Sequence, residues 1–86
     1  MAEFKTGGLV KSLAGHDKNQ LYIIIGVSKE YVTLSDGRHH PADKPKRKNK
    51  KHLQIIHVYD ETFGKKLEGS GRVPDEEICA FIHTHK

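Results

Sequence analysis

The sequence predicts a mainly β protein: a small five-stranded barrel with a short C-terminal α-helix. Three observations carry that expectation. The apolar segments are short and rich in β-branched residues. Asp36-Gly37 directly follows an alternating run, a strong local hairpin signal. Five short strands within 86 residues manage their open edges best by curling on themselves.

Residues 1–6 carry one aromatic, Phe4, and are expected to form a flexible N-terminal arm. The barrel is expected over residues 7–59. Gly7-Gly8 opens its first strand, Leu9-Val10-Lys11-Ser12-Leu13, and residues 14–20 (AGHDKNQ) then read as a turn. Residues 21–27 are apolar at nearly every position, as in a strand buried on both faces. Gly26 within them signals a bulge or sharp bend. In residues 31–35, Val32 and Leu34 point one way while Tyr31, Thr33 and Ser35 point the other. A type I′ turn at Asp36-Gly37 would return the chain as Arg38-His39-His40, stopped near Pro41.

Residues 41–52 follow as a basic loop. In residues 53–59, Leu53 and Ile55 share one face, and Ile56 and Val58 the other. Residues 60–72 contain Gly64, Gly69 and Gly71 and no periodicity, so they are expected to be a flexible connector. Residues 73–86 predict a helix packed on the barrel. Pro74 suits its first turn, Asp75, Glu76 and Glu77 its positive end, and His83 and Lys86 its negative end. Ile78, Phe81 and Ile82 form one apolar stripe, suited to covering the second face of residues 53–59.

The charge is unevenly distributed. Residues 38–52 hold seven basic residues and one acid, whereas the rest of the chain holds eight basic residues and ten acids. A local cationic block is the footprint of a polyanion ligand, because each Lys or Arg that reaches a phosphate releases a condensed counterion. The bland reading of such a block is a solvated linker. Strand character on both sides favours a pinned loop instead.

Several classes are set aside by composition. The single cysteine, Cys79, has no disulfide partner, and no apolar signal core precedes residue 7, so a reducing, cytoplasmic location is expected. The longest apolar run, residues 21–25, is far below the ~20 residues of a membrane span. Seven histidines invite a metal reading, but His39-His40 on a strand face opposite ways and no cysteine pair accompanies any of them. No nucleophile motif or phosphate-cradling glycine loop occurs. The expectation is a protein that is not an enzyme, with no cofactor, metal or small-molecule substrate, monomeric when free.

A family resemblance narrows the ligand. Residues 8–12 (GLVKS), 14–19 (AGHDKN) and 22–27 (YIIIGV) resemble a KOW motif, the strand–loop–strand front of an SH3-like barrel. The continuation YVTLSDGR and then KPKRKNKKHL is similar to KOW-domain RNA-binding proteins related to the large-subunit ribosomal protein fourteen of archaea and eukaryotes. The likeness covers roughly residues 7–56. It implies ribosomal or other structured RNA as partner, held through the phosphate backbone by the KOW loop and the basic segment. The residues so implicated are Lys11, Gly15, His16, Lys18, Asn19, Arg38, Lys44, Lys46, Arg47, Lys48, Lys50, Lys51 and His52. The chain departs from the family where Asn19 stands for a usual glycine and His16 for a common arginine. Asparagine is the next-best residue for a left-handed turn. Tyr22 and Tyr31 are candidates for stacking unpaired bases; Tyr22, in an apolar strand, reads more readily as core. The alternative function is an SH3-like protein-interaction module of the transcription or translation machinery.

Overall fold

In a computed structural model of the chain, residues 4–41, 43–59, 65 and 73–85 are described, the side chains of residues 57–59 excepted. Five strands form one sheet: β1 (Gly8–Ser12), β2 (Leu21–Val27), β3 (Tyr31–Ser35), β4 (Lys46–Asn49) and β5 (Leu53–Tyr59). Their order is β4-β3-β2-β1-β5, every neighbouring pair is antiparallel, and the sheet curls into the half-barrel of a small SH3-like fold. A single 3-10 turn (Lys50–His52) joins β4 to β5, and helix α1 (Asp75–Thr84) lies on the outside. No helix among the described residues is long and apolar enough to cross a membrane.

The curl divides the core in two. Inside it, Val10, Tyr22, Ile24, Val32, Leu34 and Leu53 are buried together, with Ile55 and Phe4 packed against them. Outside, Leu9 and Ile23 meet Val73, Ile78 and Ile82, with Leu21, Ile25, Ile56 and Phe81 at the margin. β1 and β2 are thus buried on both faces, which is why β2 is apolar at almost every position. The stripe on α1 packs on β1 and β2 as well as on Ile56 of β5. The faces expected for Val32 with Leu34, and for Leu53 with Ile55 against Ile56, are those observed. The register slips between Ile24 and Gly26, so the bend expected at Gly26 is present. Pro74 stands one residue before the first turn of α1, as its N-cap, and its carbonyl accepts from the Ile78 N–H.

Of the N-terminal arm, residues 4–6 are described, and two expectations further along the chain are corrected. Phe4 packs on the inner core, and the Gly7 N–H donates to the Ile24 carbonyl at 2.8 Å. An aromatic ring gains more by burial than by solvation.

Arg38-His39-His40 is not a strand. The type I′ turn needs positive φ at both central residues, but only Gly37 (φ 74°) has it. Instead the Asp36 carboxylate accepts from the N–H groups of Arg38 (2.9 Å) and His40 (2.8 Å), and the Ser35 hydroxyl donates to the His40 carbonyl at 2.7 Å. Those bonds wind the chain into a loop. Gly37 is also required by close approach: a Cβ there would collide with the Asp75 carbonyl oxygen and lie 3.0 Å from the Cys79 nitrogen.

Finally, the basic loop expected over residues 41–52 is a loop only in its first part. Lys46–Asn49 is the returning strand, pairing Lys46 with Leu34, Arg47 with Thr33, Lys48 with Val32 and Asn49 with Tyr31. The connector expected over residues 60–72 lies outside the described residues, Lys65 excepted.

Candidate functional site

Lys and Asn are poor strand formers, so the location of β4 needs a cause. Pairing puts Lys46 and Lys48 on the inner face with Leu34 and Val32, and Arg47 and Asn49 on the outer face. The inner lysines lay their aliphatic stems toward the core and carry their charges to its rim. There both ammonium groups meet Asp17 of the β1–β2 loop: Lys46 Nζ lies 2.6 Å from Oδ2 and Lys48 Nζ 2.7 Å from Oδ1. Lys48 donates further to the Ser12 hydroxyl (2.6 Å) and the Ala14 carbonyl (3.0 Å). The hydroxyls of Ser12 and Tyr22 each donate to Asp17 at 2.9 Å. Burial alone would push the Asp17 carboxyl up. The bonds from Lys46, Lys48, Ser12 and Tyr22 outweigh it and hold the group well below the usual carboxylate range. Burial, and then the Asp17 charge, push the Tyr22 phenol well above its ordinary value.

This clasp ties the two segments implicated by sequence into one unit. The β1–β2 loop is itself fixed by Asn19 donating to the Ser12 carbonyl at 2.8 Å and by left-handed backbone at Gly15 (φ 86°) and Asn19 (φ 72°). Asn19 therefore adopts the left-handed conformation expected of an asparagine at this turn. A further bond, from the Leu13 N–H to the His52 carbonyl at 2.9 Å, docks the end of β1 on the 3-10 turn. Asn49 caps that turn, its side chain accepting from the Lys51 N–H.

The implicated residues separate into groups. Lys46 and Lys48 are engaged within the fold, with side chains 30% and 12% exposed. His16, Lys18 and Asn19 are exposed on the loop, and Lys44, Arg47, Lys51 and His52 along and around β4. Lys50 is half-buried, donating to the Lys29 carbonyl at 3.1 Å, with its charge 5.7 Å from the Phe4 ring. Two residues stand elsewhere. Lys11 pairs with Leu21 on the outer face, and Arg38 lines a groove against α1 with Asp75 and Glu76. The residue sequence reasoning passed over is Asp17. As one acid in a polar turn it carried no signal by itself; the signal was the alternation of Lys46 and Lys48.

Among the described residues no group of three or more His, Cys, Asp or Glu side chains is placed to hold a metal ion. Tyr22 is 2% exposed, so it belongs to the core, while Tyr31 is 37% exposed with the Arg47 guanidinium carbon 4.8 Å from its ring centroid. Comparison with protein-family models finds no match to this chain, and comparison with curated proteins finds none either.

Proposed function

We propose that this protein binds RNA, in the cytoplasm and in association with the ribosome, by gripping the phosphate backbone of a structured RNA. The observation that carries the reading is the Asp17 clasp, which joins the β1–β2 loop to the basic segment and leaves exposed cations on both sides of the junction. Contacts of this kind position a protein on its nucleic acid without reading sequence. The resemblance to KOW-domain proteins points the same way.

The clasp also sets the expected salt dependence. Lys46 and Lys48 are spent on Asp17, which leaves Lys44, Arg47, Lys50 and Lys51 from the basic segment. With those four engaged on a non-duplex RNA, a slope near −0.7 per contact gives about a fiftyfold loss of affinity between 50 and 200 mM salt. Titration of fluorescent ribosomal RNA fragments at several salt concentrations measures it. Lys51→Ala is expected to reduce the slope by about 0.7, whereas Lys48→Met leaves it unchanged. An affinity flat across that range refutes the reading. In lysate fractionation the protein is expected to sediment with ribosomes and be released by RNase. Retention on a protein partner after RNase would favour an interaction module instead.

A further inference from the structure

We propose that the open half of the outer sheet face, built on Tyr31 and Arg47, stacks an unpaired nucleobase of the bound RNA. This rests on the RNA-binding reading and narrows its ligand to RNA that presents single-stranded bases.

The face is defined by register. Gly26 pairs with Thr33, Thr33 with Arg47, and Tyr31 with Asn49, so all five residues share the surface opposite Val32 and Leu34. Helix α1 covers the other end of that surface, where Ile23 pairs with Ser35 and Gly37 touches Asp75 and Cys79. Beyond the helix, Tyr31 and Arg47 are exposed and Gly26, Thr33 and Asn49 are half-buried among the described residues. Gly26 contributes no side chain, yet among the described residues a Cβ there would meet only Thr33, at an ordinary 3.5 Å, so packing among them does not impose its absence. The result is a shelf edged by a tyrosine ring with a guanidinium over it.

An exposed aromatic ring and an arginine held over it both lose side-chain freedom for little gain, since an exposed cation–π pair is weak. The same two planar groups are the usual platforms for splayed-out bases. Charge complements shape, because Asn49 leads directly into the 3-10 turn, whose exposed Lys51 can follow a phosphate flanking a stacked base. A paired base inside a duplex cannot reach the shelf.

The test uses the whole chain and labelled oligonucleotides of about twelve nucleotides. These are an oligoadenylate, an abasic strand with the same number of phosphates, and a blunt duplex, all read by fluorescence anisotropy. Wild type is expected to bind the adenylate about fivefold to a hundredfold more tightly than the abasic strand. Tyr31→Ala should erase that difference with the salt slope unchanged, and Tyr31→Phe should retain it. Arg47→Lys, which keeps the charge but loses the plane, should reduce it at constant slope and serves if Tyr31→Ala folds poorly. Equal binding of adenylate and abasic strand by wild type, or a Tyr31→Ala variant indistinguishable from wild type, overturns the stacking site while salt-dependent binding survives. Binding to none of the three probes at 50 mM salt overturns the RNA reading, and the shelf with it.

Discussion

The clasp predicts an unusual sensitivity at a single surface-loop acid. Asp17→Ala removes the anion shared by Lys46 and Lys48 and the acceptor of the Ser12 and Tyr22 hydroxyls. The two ion pairs do not count equally. Lys46 is 30% exposed, so its pair belongs with surface pairs worth below about 1 kcal/mol. Lys48 and Asp17 are each only 12% exposed, and removing one partner of a buried pair costs about 3–5 kcal/mol because the other charge stays buried. Discounting for the solvent that still reaches the rim, the expected loss is about 3 kcal/mol, a large share of the ~4–13 kcal/mol available to a domain of this size. The corresponding fall in melting temperature is about 12–24 °C.

Urea unfolding followed by circular dichroism measures the loss. Lys48→Met separates charge burial from contact. It removes the buried ammonium with its pair and leaves Asp17 bonded to Lys46, Ser12 and Tyr22, so its expected cost is below about 1 kcal/mol. Combining Asp17→Ala with Lys48→Met should then be less destabilising than Asp17→Ala alone, since the stranded charge is gone. An Asp17→Ala variant within about 0.5 kcal/mol of wild type refutes the reasoning, as does a double variant no more stable than Asp17→Ala.

Two further predictions concern acid and the helix. The folded Asp17 carboxyl sits below its unfolded value of about 3.9, so its contribution is complete above about pH 5 and is lost as pH falls through the carboxylate range; Asp36 acts in the same direction. Urea midpoints at stepped pH should fall below about pH 4 in wild type and fall less in Asp17→Ala. Gly37→Ala places a Cβ against the Asp75 carbonyl at a residue of φ 74°, and is expected to cost at least about 2 kcal/mol, with amide exchange rising first along α1.

Much of this arrangement is legible in the chain because it depends on neighbours in sequence. The period-two faces of β3 and β5, the helical stripe of Ile78, Phe81 and Ile82, the bend at Gly26 and the left-handed Asn19 are all local signals. What is not legible depends on partners far along the chain. Lys46-Arg47-Lys48-Asn49 has the composition of a solvated loop, and becomes a strand because the free edge of β3 supplies hydrogen bonds and Asp17 supplies a counter-charge 29 residues away. Asp36-Gly37 fails as a two-residue turn for a similar reason. The helix that presses on Gly37 begins at Asp75, and the carboxylate of Asp36 has better donors in Arg38 and His40.

That difference changes the meaning of the charge count. A net charge treats Lys46, Arg47, Lys48 and Lys50 as equivalent, but a strand alternates its faces, and alternation assigns them different work. The inner pair reaches Asp17, and that bond fixes both the register of β4 and the roll of the strand about its axis. With Lys46 and Lys48 held inward, Arg47 has no choice but the outer face, where it lies over Tyr31. A one-residue slip would put Arg47 inside against the carboxylate and turn both lysines out, leaving the tyrosine without its guanidinium. The buried half of the charge therefore aims the exposed half. Adding cations to this segment should not strengthen a phosphate grip unless they fall on the outward set.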